Sequence, residues 1–572
     1  MKSFLTLLSV LVLTAFASVA QSFEKKLIFP EFADSATKIE MAGRLVPSAK
    51  QLEWQDLEMT AFIHFGINTF TDREWGNGKE SPAIFNPEGL DARQWVRILK
   101  DAGFKMVILT AKHHDGFCLW PTETTEHSVA SSPWREGNGD VVAELADACH
   151  EMGMKLGIYL SPWDRNAPSY GDSEKYNDLF VRQLTELLTN YGKIDEVWFD
   201  GACGEGLNGK KQEYDWVRFR SVMESLQPGA VLAIMGDDVR WVGNEKGMGR
   251  ETEWSATPLT PGIYAESSAS NAALGIFQKS PDLGSRELVS RADRMYWWPS
   301  EVDVSIRPGW FFHDTEQPRS LRELSEIYLN SVGRNSVLLL NVPPDRSGRI
   351  APADSARLAE LGQWIRRNFS SPISCGTVNC AVLQEDISKG QRVEEFAVMA
   401  WKNGESEEVA RGTTIGHKRI LTFDPVEADS LSVKVISSRG EPNLLPVKAY
   451  FINMPENEDA KEAVRLADDG WTLSDDGLTI ELGAQQQFAG FAYLPNPENP
   501  ITAYKFLISN DGKNWIEVAT IGEFSNIVNN PIEQIVRFAE PVSASWARLQ
   551  PIGIYKPDAP ISPLRLSLLA PQ

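Results

Sequence analysis

The chain has 572 residues, more than one compact hydrophobic core accommodates, so its length predicts two to four domains. Its composition is that of a globular protein, 42% hydrophobic and 23% charged. The net charge of −22 and the pI of about 4.9 argue against nucleic acid or an anionic membrane as a partner.

The first twenty residues have the pattern of a secretory signal peptide. Lys2 precedes an apolar stretch too short to span a membrane stably, and Ser18 and Ala20 form a small-x-small cleavage site before Gln21. No cysteine stands at the cleavage point to indicate a lipoprotein. We therefore expect an exported protein, periplasmic or secreted, without a membrane span.

Eight short apolar runs alternate with amphipathic stretches as far as about residue 370. The predicted strands are 59–66, 105–111, 155–162, 196–201, 230–236, 251–254, 294–304 and 337–343. The predicted helices are 91–103, 140–153, 173–191, 213–227, 321–332 and 354–368. This α/β alternation predicts a TIM-like (β/α)8 barrel within residues 21–370.

After residue 370 the helical periodicity ends and short alternating strands follow. The predicted strands are 394–402, 418–423, 430–436, 479–482, 488–493, 503–509 and 535–538. An acidic stretch containing proline, near 453–458, divides them. We expect one β-sandwich over 371–453 and a second over 454–572.

The five cysteines are too few and too widely spaced for a disulfide framework or a tetrahedral zinc site. We expect mostly buried free thiols. A disulfide between Cys375 and Cys380 is the open alternative.

Polar and aromatic residues gather where the first four barrel strands end. Reacting residues of such barrels come from these carboxyl ends. The segments read IHFG at 63–66, KHHDGF at 112–117, YLSPW at 159–163 and WFDG at 198–201. Together they predict a polar pocket with aromatic walls.

Asp200 has the sequence context of a nucleophile. It shares one face of its strand with Trp198, because side chains alternate along a strand. A carboxylate there can attack an anomeric carbon, whereas the structural alternative is a cap for the next helix. The histidines at neighbouring strand ends favour the nucleophile.

The adjacent pair His113 and His114 favours hydrogen bonding to sugar hydroxyls, since neutral imidazole both donates and accepts. Metal hydrolases on barrels more often present His-x-His. Two alternatives stay open: a metal-dependent hydrolase using His64 with this pair, and a non-catalytic glycan-binding protein.

These motifs resemble glycoside hydrolase family 29, the retaining α-L-fucosidases, over about residues 50–370. The resemblance implies a fucosylated oligosaccharide or glycoconjugate as substrate, no required cofactor or metal, and Asp200 as the nucleophile. It implies the following substrate-binding residues: His64, Glu74, Trp75, His113, His114, Tyr159, Trp198, Arg240 and Trp310. The fucose methyl group would meet an apolar wall at Phe65 or Trp310.

The acid/base follows from a second part of the resemblance. Residues 240–247, RWVGNEKG, resemble the acid/base loop of the branch that acts on α-1,3/1,4-linked fucose in Lewis-type glycans. Glu245 would then protonate the leaving oxygen, with Glu251 and Glu253 as rivals. The two carboxyls would work by double displacement through a fucosyl-enzyme intermediate.

Residues 483–548 resemble a discoidin-like carbohydrate-binding sandwich of the family 32 type. The resemblance rests on FAYLP at 491–495, YKFLISNDG at 504–512 and Trp515. These aromatic residues could equally belong to the core of the domain. Such modules often carry a structural Ca²⁺ ion, which makes one possible here.

Overall fold

The computed structural model describes residues 22–456, 465–467, 469–524 and 526–571. The predicted signal peptide lies outside the described residues. Among the helices in these ranges, none combines the length and the apolar character that crossing a bilayer requires.

Eight parallel strands form the central sheet. Their bounds are β1 Met59–Ile63, β2 Met106–Lys112, β3 Lys155–Leu160, β4 Glu196–Phe199, β5 Val231–Ile234, β6 Arg240–Trp241, β7 Ser300–Ser305 and β8 Ser336–Asn341. They pair in the order β5-β4-β3-β2-β1-β8-β7-β6. A parallel bridge between Ala233 and Val239 joins the two ends of this order. The predicted TIM-like barrel is therefore confirmed.

Helices surround this sheet, and acidic residues cap several of them. Asp91 accepts a hydrogen bond from the Gln94 N–H, and Asp140 accepts one from the Ala143 N–H, which satisfies amides that have no partner within the helix. The α-helices are Ser35–Ala42, Ala49–Gln55, Ile67–Thr71, Ala92–Ala102, Val141–Met152, Ser173–Asn190, Trp216–Leu226, Ser267–Leu274, Arg286–Arg291, Leu321–Ser331 and Pro352–Phe369. Short 3₁₀ helices occupy Pro82–Ile84, Val129–Ser131, Trp134–Gly137 and Ile387–Lys389.

The prediction for the sixth and seventh strands is wrong in part. The sixth barrel strand is the short β6, not residues 251–254. The run predicted as 294–304 contains two strands, and only β7 belongs to the barrel. Arg294–Trp297 instead pairs with Ala256–Thr257 and Lys26–Ile28 in a separate antiparallel sheet. Pro299, which cannot donate a ladder hydrogen bond, separates the two strands.

Side-chain alternation divides the barrel residues into two layers. Phe62 and Trp198 lie in the interior of the barrel, whereas their neighbours Ile63 and Phe199 pack towards the surrounding helices. Residues with the parity of Phe62 and Trp198 therefore point towards the barrel axis.

The C-terminal part is antiparallel β-structure, as expected. One three-stranded sheet contains Gly376–Leu383, Arg419–Ala428 and Lys448–Tyr450, and another contains Val393–Lys402, Glu405–Gly412 and Ser430–Ser438. The last sheet contains Arg465–Ala467, Thr472–Ser474, Gly477–Leu494, Ile501–Ser509, Ile516–Glu523, Gln534–Ile554 and Arg565–Leu569. Near the N-terminus, Phe23–Glu24 pairs with Leu45–Val46. The domain boundaries at 370 and 453 stay predictions.

All five cysteines are free thiols. Cys375 is exposed and Cys380 is buried. The alternative of a disulfide between them is therefore wrong.

Candidate active site

Asp200 follows β4 and has the parity of Trp198, so its side chain faces the barrel mouth. Its Oδ2 accepts a 3.0 Å hydrogen bond from the Tyr159 hydroxyl, and its Oδ1 accepts one of 2.8 Å from the Ala202 N–H. His114 Nε2 lies 3.8 Å from Oδ2. The side chain is 28% exposed. The carboxylate is thus held in one orientation and is still open to the pocket.

Three histidines with neighbouring rings lie at the ends of β1 and β2, and His114 is the one near this carboxylate. Burial lowers the pKa of His64 to about 3, and it also lowers the pKa values of His113 and His114. These shifts favour the neutral form of the rings. Neutral imidazole offers one donor and one acceptor, which suits a sugar hydroxyl.

Asn341, at the end of β8, fixes the tautomer of His64. Its Nδ2 donates to the Ser305 hydroxyl and to the Trp310 carbonyl, both at 2.8 Å, which fixes the orientation of the amide. Its Oδ1 then faces His64 Nδ1 at 2.9 Å. Because an amide oxygen only accepts, Nδ1 carries the proton and Nε2 is left as an acceptor.

Aromatic rings form the walls of the pocket. The rings of Tyr159 and Trp198 are stacked with centroids 5.2 Å apart, and Trp198 Nε1 donates to buried Glu301. The Trp310 ring lies 4.9 Å from the ring of His64. Trp75 stands at the rim, 53% exposed, with its ring 5.9 Å from that of His114.

Phe65 does not contribute to these walls, contrary to expectation. It has the opposite parity to Phe62 and packs against Phe85 and Trp95 on the helix side of the sheet. Phe311 lies beside the histidines instead, with its ring 5.5 Å from that of His64.

Glu245 enters the same pocket from the loop after β6. Its Oε2 accepts a 3.3 Å hydrogen bond from Trp310 Nε1, and its Oε1 accepts one of 3.1 Å from Asn529 in the last sheet region. Burial raises its pKa well above the usual range, and the charges of Asp303 and Asp200 add to this effect. Two carboxyl groups therefore interact electrostatically within one pocket.

The two rival glutamates bind arginines elsewhere. Glu253 is 1% exposed and forms ion pairs with Arg240 and Arg250. Glu251 is 60% exposed and pairs with Arg334 and Arg419. Neither side chain is directed to the pocket.

The expectation that Arg240 contacts the substrate is not met. Its side chain is fully buried, and its Nε donates to the Trp298 carbonyl at 2.9 Å. The reason is parity, because Trp241 packs against the barrel interior and its neighbour Arg240 must point outward.

Glu74 is directed to the loop that carries Trp310. Its two oxygens accept hydrogen bonds from the backbone N–H groups of Trp310 and Phe311, and His313 Nε2 lies 2.7 Å away. Glu74 therefore fixes this part of the pocket wall. A direct contact with sugar stays a prediction.

Several residues of this site, Phe311 among them, escaped the sequence reasoning. Asp303 could have been found, since acidic residues alternate with valine in β7 and share the inward face. Asn341 ends β8 and follows the same strand-end rule. Asn529 could not have been found from the sequence around it, because its partner Glu245 lies 284 positions away.

The described residues contain no group of three or more His, Cys, Asp or Glu side chains that could hold a metal ion. His113 and His114 lie side by side, with ring centroids 4.1 Å apart. The Ca²⁺ ion considered for the last domain stays a prediction.

Paired carboxyl groups, neutral imidazoles and aromatic walls at the mouth of a (β/α)8 barrel define a glycoside hydrolase. The family model for alpha-L-fucosidase matches residues 46–370, more than half of the chain. The chain therefore belongs to the α-L-fucosidase family, glycoside hydrolase family 29, and a fucosylated glycan is its substrate. A model of the F5/8 type C domain, the discoidin-like module, matches residues 455–562.

Individual relatives agree with this assignment. The chain is 42% identical to α-L-fucosidase 1 of Arabidopsis thaliana, over 71% of this chain and 87% of the relative. It is 52% identical to a Bacteroides ovatus protein proposed to be an α-L-fucosidase, whose crystal structure aligns with a TM-score of 0.76 over 96% of this chain and 99% of that one. A Ruminococcus gnavus family 29 fucosidase solved with fucose is 30% identical, with a TM-score of 0.63 over 71% and 95% of the two chains.

Proposed function

We propose that this α-L-fucosidase is a retaining exo-enzyme that releases L-fucose by double displacement, with Asp200 as nucleophile and Glu245 as acid/base. The observation that carries the proposal is the contrast between the two carboxyls. Asp200 is partly exposed and oriented by two donors. Glu245 has a pKa raised by burial and by neighbouring carboxylates, which is what a general acid requires.

In the first step, a carboxylate oxygen of Asp200 attacks C1 of fucose. The bond from C1 to the glycosidic oxygen breaks, and that oxygen takes the proton of Glu245. In the second step, ionised Glu245 removes a proton from water while the water oxygen attacks C1. The ester to Asp200 breaks, fucose leaves with its original α configuration, and Glu245 is protonated again.

The neutral histidines are proposed to hold the fucose hydroxyls. His64 Nε2 is an acceptor by the tautomer argument above, so it would receive a hydroxyl proton. Fucose is a 6-deoxy sugar, and its methyl group would face Phe311 or Trp310. A Ruminococcus gnavus relative that was solved with fucose supports this class of ligand.

The proposed linkage is α-1,3 or α-1,4 in Lewis-type glycans. The resemblance of residues 240–247 to the acid/base loop of that branch supports it, together with the position of Glu245 in the pocket. Digestion of α-1,2-, α-1,3-, α-1,4- and α-1,6-linked fucosyl oligosaccharides beside an aryl fucoside tests this. Equal or faster release from the α-1,2 or α-1,6 glycans would refute the linkage.

Two variants and one control test the catalytic assignment. Asp200→Ala should lower turnover at least about a thousandfold, because the proposed ester forms on the carboxylate that this variant lacks. Glu245→Gln should lose oligosaccharide hydrolysis, whereas Glu251→Gln should retain it. Proton NMR should detect the α anomer of fucose first. Retained activity in Asp200→Ala, or the β anomer as first product, would overturn the mechanism.

Export is part of the proposal, supported by the sequence pattern of residues 1–20. Expression of the full chain in a bacterial host, followed by N-terminal sequencing of the protein from the periplasm or medium, should give Gln21 as first residue. Uncleaved protein found only in the cytoplasm would contradict it.

A further inference from the structure

The C-terminal discoidin-like domain reaches the catalytic pocket at Glu245. Asn529 Nδ2 donates a 3.1 Å hydrogen bond to Oε1 of Glu245. The barrel supplies the other donor, Trp310 Nε1, to Oε2. The carboxyl group of Glu245 thus accepts hydrogen bonds from both domains. The side chain of Asn526, in the same turn as Asn529, also acts as a hydrogen-bond donor that lowers the pKa of Glu245.

The turn that carries Asn529 is built to present it. The N–H groups of Asn529 and Asn530 both donate to the Asn526 carbonyl, at 3.2 and 2.8 Å, and so form a single helical turn. Ile527 and Phe524 are 1% and 5% exposed and belong to the core of the domain. The position of Asn529 is therefore fixed by its own domain, not by the contact with the barrel.

Other contacts hold this domain next to the barrel mouth. The chain that enters the domain is tied to barrel helices, since Trp364 Nε1 donates to the Asn453 carbonyl and Arg322 Nη1 donates to the Pro455 carbonyl. On the mouth side, burial raises the pKa of Tyr504, and the negative charge of Asp72 raises it further. Asp72 is bonded through His313 to the loop that carries Trp310.

We propose that Asn529 is a positioning residue for the acid/base, so that the discoidin-like domain completes the catalytic site on the side where the leaving glycan lies. This inference rests on the proposed role of Glu245. A general acid lies next to the glycosidic oxygen that it protonates. A residue bonded to the other oxygen of its carboxyl group therefore borders the leaving glycan. The domain then acts in the reaction itself, beyond any separate glycan binding.

The chemistry predicts a direction for the effect. A donated hydrogen bond stabilises the ionised carboxyl more than the neutral one, so Asn529 holds the pKa of Glu245 lower than it would otherwise be. The first catalytic step needs the protonated form. Removal of the amide should therefore move the alkaline limb of activity to higher pH. It should also loosen the carboxyl group and slow substrates that depend on proton donation.

The experiment compares Asn529→Ala and Asn529→Asp with wild type in the full-length protein, with Asn514→Ala as the control. Asn514 belongs to the same domain, but its side chain donates to Asp511 within an exposed turn. Each protein is assayed across pH on a fucosylated oligosaccharide and on 4-nitrophenyl fucoside. The nitrophenolate leaves without protonation, so the first step on this substrate does not need the general acid.

Asn529→Ala should shift the alkaline limb upward by roughly half a pH unit to one unit, and it should lower kcat on the oligosaccharide about threefold to tenfold. Activity on 4-nitrophenyl fucoside should change less than about twofold. Asn529→Asp should shift the limb further upward, because a second carboxylate opposes ionisation of Glu245. Asn514→Ala should match wild type.

Two results separate the inference from the assignment on which it rests. If Glu245→Gln is inactive on the oligosaccharide but both Asn529 variants match wild type, the inference is wrong and the proposed function stands. If Glu245→Gln retains full activity on the oligosaccharide, the proposed function itself fails. An equal loss on both substrates in Asn529→Ala, without a pH shift, would also overturn the inference.

Discussion

The hydroxyl of Tyr159 donates a 3.0 Å hydrogen bond to Oδ2 of Asp200, across the neighbouring strands β3 and β4. The phenol is buried, and burial raises its pKa well above the usual range, helped by the charge of Asp200. Tyr159 therefore stays protonated and acts as a donor. In the proposed mechanism, a nucleophile held in this way meets C1 in one orientation, which reduces the entropic cost of reaction.

Tyr159→Phe should slow the enzyme and leave it folded. The substitution keeps the ring stacked on Trp198 and removes only the hydroxyl. Because a hydrogen bond to a charged group contributes about 1.5–3 kcal/mol, kcat/KM should fall roughly tenfold to a hundredfold. The matched control is Tyr493→Phe, whose hydroxyl accepts from the Ile501 N–H inside the C-terminal domain. Equal rates in Tyr159→Phe and wild type would contradict the role of this bond.

The pH dependence of kcat/KM should have an alkaline limb that belongs to Glu245. The acid must be protonated in the first step, so activity falls as pH rises through its pKa, which lies well above the usual range. The limb should be present with a fucosylated oligosaccharide and absent with 4-nitrophenyl fucoside, whose leaving group needs no proton. Glu245→Gln is assayed on 4-nitrophenyl fucoside. The pKa of His64 is about 3, so its imidazole should add no limb near pH 6.5. A limb near pH 6.5 that persists in Glu245→Gln would show a titrating histidine instead.

The barrel and most of its mouth could be predicted from the sequence, because parallel strands are short apolar runs and their carboxyl ends follow the runs directly. The parity rule that places Asp200 beside Trp198 also holds in the structure. The same rule, applied to the two residues of β6, would have directed Arg240 outward. The sixth strand itself was missed since two residues give no periodicity to recognise.

The remaining errors arise where distant segments meet. The run that ends in β7 is buried from Met295 onward, so no change of pattern separates the barrel strand from Arg294–Trp297. Asn529 reaches Glu245 only after the C-terminal domain has docked on the barrel. No local pattern in the sequence encodes that contact, whereas the position of Glu245 itself came from a recognisable loop motif.

The buried pair of Glu253 with Arg240 should matter for stability and not for substrate affinity. Glu253→Gln leaves a fully buried guanidinium without its charge partner, which costs about 3–5 kcal/mol of unfolding free energy. Denaturant unfolding of the barrel should detect this loss, and the KM of the folded fraction should be unchanged. Glu408→Gln, which breaks an exposed pair with Arg411, is the control and should leave the unfolding free energy nearly unchanged. A raised KM with normal stability in Glu253→Gln would show instead that this pair contributes to substrate binding.

The ion pairs of His313 should give the protein a stability that depends on pH. Burial alone would lower its pKa, but hydrogen bonds to Asp72 and Glu74 raise it to about 11. A base with a raised pKa in the folded state stabilises the protein fully below its unfolded pKa of about 6.5, and this contribution is lost as pH rises towards 11. His313→Gln should therefore unfold at a lower temperature than wild type at pH 6, and the difference should shrink by pH 9.5. Asp72→Asn, which removes one of the two carboxylate partners, should reduce the same difference in part. A gap between wild type and His313→Gln that stays constant from pH 6 to pH 9.5 would show that the ring acts only by packing.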